Sequence, residues 1–388
     1  MFNSNTIRKV AVVFLNNDLL INEVNIINRS IINDIFIFTA EPVCQMNKCS
    51  KCGHAPVIKF GSYMRSIRDF DMLDKRVIIK LKSSRYYCKT CGATFSHSYS
   101  FVNPRCKMTN RLREKIEYLS LNRPLSFIAK DFGFSESCIN NIATDHIAYL
   151  DKTRKLFIPE VLGIDEAHLS KATCGIFVDI KEKKIIELLK NNKYWTMKAL
   201  LQSWDNRSQI KAVVIDMNTN YRELVREMVP NALIVVDKFH VIKDVQNAFE
   251  SEIKQCAGLI PGMKGLVMRN PDNLSEADKE LYNQSNKDPL LEQLYYIKNE
   301  FENIYNYSDK GQALIKYEEI CSLITDKYVV FNKLIKRLNY WKDEIFNYYD
   351  APYDNGVTEG FNRKIKNIET TGAGYSFNII RGKALYGE

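Results

Sequence analysis

The chain has 388 residues, 45% of them hydrophobic and 26% charged. That is enough apolar material for two or three packed domains at roughly 150 residues each, and too much for a disordered tail, a collagen or a mucin. Its 55 Lys and Arg against 46 Asp and Glu leave a net charge of +9, which excludes a strongly acidic protein and favours a polyanionic partner only weakly.

The first elements are apolar but short. The run Val10–Leu15 is followed by no small-residue cleavage site, and no run in the chain reaches the ~18 residues that cross a bilayer. The expectation is a cytoplasmic protein with no leader and no membrane partner. Ten Cys are present, five of them between Cys44 and Cys91 in two tight groups. Clustering of this kind, in a reducing compartment, points to a metal rather than to disulfides. Cys49-x2-Cys52-Gly and Cys88-x2-Cys91-Gly are matched knuckles. Each offers two thiolates from a tight turn whose backbone the Gly relieves, and four thiolates suit a structural Zn2+. Cys44 and His54 stand close enough in sequence to replace one of the four. Between the knuckles, Val77, Ile79 and Leu81 alternate with Ile78, Lys80 and Lys82, which predicts a strand with one mainly basic face. Lys80, Lys82 and Arg85 are candidate phosphate contacts or a solvated strand face, in a small β module expected to bury little core without its metal.

From Thr109 the period becomes helical, with Leu112, Ile116 and Leu119 on one stripe. Pro124 can open a second helix, Gly133 sits at a turn, and Ser135 can cap a third helix that carries Ile139 and Ile142. Ala129, Gly133 and Ile139 have the spacing of a helix-turn-helix, whose second helix enters the major groove. Glu136, Ser137, Asn140 and Asn141 would then face base edges. Asp151 to Ile158, with Lys152, Arg154 and Lys155, reads as a basic linker.

Strand patterns return at Val161. VLGIDEAHL carries Asp165, IKAVVIDMN ends at Asp216, and NALIVVDKFHVIK ends at Asp237 with His240 after it. Open α/β sheets bind ligands at strand ends, and carboxylates gathered there repel one another until a hard cation such as Mg2+ or Mn2+ joins them. A third carboxylate, Glu359, opens a predicted helix after the Asn355-Gly356 turn, with Arg363, Lys364 and Lys366 following. A carboxylate beside a basic helical face suits a site that holds metals and a phosphate backbone together.

The knuckles, the IDE strand, VVIDMNTNYRELVREMVPNALIVVDKFHVIK and NGVTEGFNRKIK occur in an order that resembles the bacterial insertion-sequence transposases of the ISL-three group, over nearly the whole chain. The resemblance implies an α/β, ribonuclease-H-like mixed sheet with a DDE core of Asp165, Asp216 and Glu359, and possible auxiliary roles for Asp237 and His240. It further implies two Mg2+ or Mn2+ ions, cleavage of insertion-sequence ends, and joining of the freed 3′-OH to target DNA. The partners would be double-stranded DNA (terminal inverted repeats and target) and a second copy of the chain, in a bacterial, nucleoid-associated setting. A non-catalytic regulator derived from a transposase and a hydrolysis-only ribonuclease-H-like nuclease are the competing readings. Asp216 and Glu359 are 143 positions apart, far more than a minimal core needs, so a helical insertion is expected between them. The expected organisation is a zinc-binding module over 1–108, a helix-turn-helix and linker over 109–158, the first catalytic part over 159–244, the insertion over 245–349, and the Glu-bearing part over 350–388. Phe331, Leu334, Ile335, Leu338, Trp341 and Ile345 trace one apolar stripe in the insertion, which can pack on itself or serve dimerisation or DNA clamping. Two stretches depart from the family pattern: only Lys171 supplies basic charge in EAHLSKATCG, and Glu369-Thr370-Thr371-Gly372 replaces a basic pair.

Overall fold

The computed structural model describes residues 18–170, 172–254, 263–269, 274–285 and 289–388; the run Val10–Leu15, Lys171 and Cys256 lie outside them. The chain divides into two compact units, Met1–His146 and Ile147–Glu388.

The first unit opens with two strands that the sequence reading did not single out, β1 (Val24–Ile32) and β2 (Ile35–Pro42). They form a hairpin whose two turn residues, Asn33 and Asp34, are both left-handed, the backbone that matches strand twist. β3 (Ile58–Met72) and β4 (Lys75–Tyr87) form a second hairpin, and β5 (Thr94–Ser96) joins the end of β4. The sheet order is β1-β2-β4-β3. Alternation on β2 and β4 turns Phe36, Phe38, Ala40, Val77, Ile79 and Leu81 inward, into a core with Leu19, Ile67 and Val102. This corrects the expectation of a module with little core, because the β1–β2 hairpin supplies the missing apolar face. Lys80 and Lys82 are exposed on the opposite face, as the alternation predicts; Arg85 is exposed too, but only because the alternation breaks at Ser83 and Ser84, which are both buried.

Three helices follow. α1 (Asn110–Asn122) is capped by Thr109 and buries Leu112, Ile116 and Leu119. Thr109 and Arg111 both bond Asp69, a fully buried carboxylate on β3, and so tie helix to sheet. α2 (Leu125–Phe132) ends at Gly133, left-handed at φ 68°. A Cβ there would also strike the Arg76 guanidinium. α3 (Glu136–Thr153) starts with Ser135 accepting from the Cys138 N–H. Ile139 and Ile142 are buried, and Glu136, Ser137, Asn140 and Asn141 are exposed. α3 runs on into the segment read as linker, where Asp151 accepts from Arg381 and Tyr386.

The second unit is built on β6 (Val161–Leu169), β7 (Ala172–Asp179), β8 (Lys184–Leu189), β9 (Ala212–Ile215) and β10 (Leu233–Val236). Their order is β10-β9-β6-β7-β8. β6, β7 and β8 run antiparallel, whereas β9 and β10 run parallel to β6, a mixed sheet consistent with a ribonuclease-H-like fold. α4 (Tyr194–Gln202) links β8 to β9, and α5 (Thr219–Met228) links β9 to β10.

A helical insertion follows: α6 (Lys238–Ile253), α7 (Met263–Val267), α8 (Glu276–Ser285), α9 (Pro289–Glu302), α10 (Lys310–Leu323), α11 (Val329–Tyr340) and α12 (Lys342–Phe346). It does not pack on itself alone. Phe331, Leu334, Leu338, Trp341 and Ile345 share one apolar cluster with Leu162, Phe177, Trp204 and Ile215 of the sheet layer. A buried ion pair, Arg222–Glu344 at 2.9 Å, joins α5 to α12, and the Trp341 ring lies 3.5 Å from the Arg222 guanidinium carbon. α13 (Gly356–Gly372) and α14 (Phe377–Tyr386) close the chain. No helix among the described residues is long and apolar enough to cross a membrane.

Candidate active site

Register aligns the acidic residues. Gly163 on β6 pairs with Val214 on β9, and Ile215 on β9 pairs with Val236 on β10. Asp165 and Asp216 are each two residues beyond a paired partner, and Asp237 follows Val236 as Asp216 follows Ile215. Parallel neighbours lie about 4.8 Å apart, so three carboxylates stand side by side where β9 and β10 end. His240, on the first turn of α6, brings Nε2 to 3.1 Å from Asp216 Oδ1 and 3.9 Å from Asp237 Oδ2. Asp165, Asp216 and His240 offer ligand atoms that all lie within 4.8 Å of one another.

The two ends of Asp237 do different work. Oδ1 accepts from the Phe239 N–H, capping α6, and from the Asn355 N–H at 3.1 Å, which holds the start of α13. Oδ2 is buried without a hydrogen-bond donor and faces the cluster. α13 approaches β6 this closely because residue 163 is Gly: a Cβ there would lie 2.9 Å from Asn355 Oδ1 and 3.0 Å from Thr358 Oγ1. From α13, Asn362 Nδ2 donates to Asp165 Oδ2 at 3.0 Å and to the Glu166 carbonyl. Glu166 in turn accepts from Asn192 at 2.9 Å and from the Tyr221 hydroxyl at 3.2 Å.

Burial pushes the Asp216 carboxyl up to about 8, with the charges of Asp165, Asp237 and Glu166 adding to the effect. Burial also raises Asp165 and Asp237. Carboxylates desolvated together without enough donors are unfavourable as a bare set, and a divalent cation reverses that. The oxygen donors suit Mg2+ or Mn2+, so the residues present fit a metal.

Glu359 is not among the three clustered residues. It lies in the first turn of α13, three positions before Asn362 on the same face, about 4.5 Å along the helix axis from it. Of the basic residues that follow, Arg363 and Lys366 are exposed, Lys366 pairing with Glu369 at 2.7 Å. Lys364 turns back to donate to the Gly387 carbonyl at 2.9 Å.

The N-terminal thiols form a second centre. Cys49, Cys52, Cys88 and Cys91 come together, with Sγ–Sγ distances of 3.7 Å (Cys49–Cys91) and 3.6 Å (Cys52–Cys88). A tetrahedron with Zn–S bonds of about 2.3 Å has edges of about 3.8 Å, so the four thiols fit zinc. The knuckles are alike: Gly53 and Gly92 are left-handed, and their N–H groups donate to the Cys49 and Cys88 carbonyls. Cys44 is exposed and outside the group, and His54 Nδ1 lies 3.3 Å from the Cys52 carbonyl oxygen.

A family of transposases, the ISL3 group with its DDE domain, matches residues 162–383, more than half of the chain. The chain belongs to the ISL3 transposase family. A zinc-finger family described from the transposases of IS204, IS1001, IS1096 and IS1165 matches residues 45–91, which span all four clustered thiols. The chain is also similar to the transposase for insertion sequence element IS1001 of Bordetella parapertussis, 22% identical over 356 residues that cover 86% of this chain and 87% of the relative. For an ISL3 transposase, the Asp-Asp-His cluster supports metal-dependent DNA cleavage, and the four thiols support a structural zinc. Asn362 and Gly163 escaped the sequence reading, and Asn355 enters it only as a turn residue. Asn362 had one available signal, its position three residues after Glu359, on the same helical face.

Proposed function

We propose that this ISL3 transposase binds insertion-sequence ends, cleaves them and joins the 3′-OH to target DNA by two-metal-ion phosphoryl transfer. The observation that carries the reading is the in-register alignment of Asp165 and Asp216 on adjacent parallel strands, with His240 against Asp216. Asp165, Asp216 and Glu359 would hold two Mg2+ or Mn2+ ions, which supply Lewis-acid stabilisation of charge at the attacking and leaving oxygens. The chain's own groups do the rest. Asn362 holds Asp165 in one orientation, so its second oxygen points to a fixed place. Asp237 fixes α13 at its N-cap, Asn355, which determines how far Glu359 must reach. His240 lies beside the oxygen of Asp216 that lacks a hydrogen bond and completes the polar wall. Asp237 and His240 thus serve as supports around the trio.

In this reading the first unit recognises DNA. Lys80, Lys82 and Arg85 meet phosphates, which position the protein without reading sequence. α2 and α3 act as a helix-turn-helix, with Glu136, Ser137, Asn140 and Asn141 at base edges. Arg363 and Lys366 add backbone contacts near the carboxylates, and Lys364 contributes by holding the C-terminal helix. The domain plan is zinc module, helix-turn-helix, and a catalytic domain interrupted by the insertion, working as a homodimer or larger assembly on DNA in the bacterial nucleoid.

The test is strand transfer with a labelled end-DNA and a plasmid target in Mg2+. Asp216→Asn should abolish both nicking and joining while leaving end binding intact. Cleavage that survives the substitution would overturn the catalytic assignment. Hydrolysis without joined product in the unaltered protein would make it a nuclease only.

A further inference from the structure

The chain contains three Trp. Two are core residues, Trp204 at 0% and Trp341 at 2% exposure, whereas Trp195 is 73% exposed. Burying an indole is worth several kilocalories per mole in a folding core, which Trp195 forgoes. Its surroundings are specific. Trp195 lies in the first turn of α4, edge-on to the Tyr194 ring at a centroid distance of 5.4 Å. Lys198 Nζ sits 5.0 Å from the indole centroid and is held there by Glu227 at 2.5 Å. The indole therefore carries a cation on its flank and keeps most of its surface open. Lys190 and Lys193 are exposed on the approach to the helix, and neither has an ion-pair partner among the described residues. The approach is thus net positive.

The segment is also fixed to the carboxylate cluster. Asn192, three residues before Trp195, donates to Glu166 at 2.9 Å, and Glu166 is the chain neighbour of Asp165. Three residues span at most about 10 Å of extended chain.

We infer that Trp195 is a stacking platform for an unpaired base of the DNA strand led to the carboxylates, with Lys190 and Lys193 drawing in its phosphates. An open ring beside free cations is the combination that binds single strands, because every base offers a π face and every linkage a charge. A base inside a duplex has both faces occupied, so the occupant is a strand that is frayed or melted beside the scissile phosphate. This rests on the transposase reading of the same site and names the form in which DNA enters it.

The experiment uses the full chain with its zinc, in buffer without Mg2+ or Mn2+, so that no cleavage intervenes. A mixed-sequence single-stranded oligonucleotide and a blunt duplex of equal length are titrated while tryptophan emission is read. The single strand should quench emission in the unaltered protein and not in Trp195→Phe. Trp195→Ala should weaken single-strand binding about 5- to 150-fold, the equivalent of about 1–3 kcal/mol for one stacked base, and duplex binding much less. Equal single-strand affinity in Trp195→Ala together with no quenching overturns the proposal. So does a drop in particle mass by light scattering with unchanged oligonucleotide affinity, which would make Trp195 a contact between copies. If the unaltered protein quenches as expected yet never nicks DNA in Mg2+, the transposase reading fails and the stacking platform stands.

Discussion

Gly163→Ala adds one methyl group at the seam between β6 and α13. The added Cβ would lie 2.9 Å from Asn355 Oδ1, 3.0 Å from Thr358 Oγ1 and 3.2 Å from Ile180 Cδ1. Ordinary contact needs about half an ångström more, and neither polar neighbour is free to give it. Thr358 Oγ1 donates to Asn355 Oδ1 at 2.8 Å, and the Asn355 N–H is bonded to Asp237. The start of α13 must therefore move as a body. Overpacking of this kind costs about 1–3 kcal/mol, which for a unit of this size lowers Tm by about 2–12 °C. Activity should fall further than stability, because α13 carries Asn362 and Glu359, and misplacing a positioned group by about 1 Å costs on the order of 100-fold. The assay pairs thermal unfolding with Mg2+-dependent nicking of end-DNA. Gly175→Ala is the control: it lies on β7 of the same sheet, and its Cβ would meet only contacts of 3.5 Å and beyond. Unaltered Tm and nicking in Gly163→Ala would refute the account of how α13 is seated. A lowered Tm with full nicking would refute its link to the carboxylates.

Three further outcomes are expected. Cys88→Ser should lose the bound zinc and lower the Tm of the first unit, whereas Cys44→Ser and His54→Ala should keep one zinc per chain, read by metal analysis of the purified proteins. Glu344→Gln should cost about 3 kcal/mol in denaturant unfolding, the low end for breaking a buried pair, because Arg222 keeps the Tyr340 carbonyl and its stack on Trp341. Without Mg2+ or Mn2+, stability of the second unit should fall as pH rises from about 4 to about 8. Over that window the folded state keeps the Asp216 proton that the unfolded chain releases. Asp216→Asn should flatten this slope, and Mg2+ should raise Tm more at pH 8 than at pH 6, since the cation competes with that proton; equal Mg2+ shifts at both pH values would count against it.

Much of this protein is written locally. Periods of two and 3.6 reveal β4, β6, β9 and the α1–α3 run, because alternation and helical stripes are properties of neighbouring residues. The zinc knuckles are legible for the same reason: each CxxCG makes its own turn before the other is present. Asp165 and Asp216 stand out as acids at the ends of apolar strands. Sequence alone does not reveal which strands are neighbours, and that decides the site. Only the pairing of β6 with β9 and of β9 with β10 puts Asp165, Asp216 and Asp237 at one level, and brings His240 from auxiliary candidate into contact with Asp216. Likewise, Glu359 is a visible acid, but its distance from the cluster depends on how α13 lies against Gly163. The apolar stripe of the helical insertion leaves its partner open in the sequence, and its residues share the core of the sheet layer. Burial area, register and the approach of a helix to a glycine are long-range quantities, fixed by residues up to two hundred positions apart, as in the bond from Asn362 to Asp165. The sequence determined which side chains could carry the chemistry; the tertiary structure decided which of them meet.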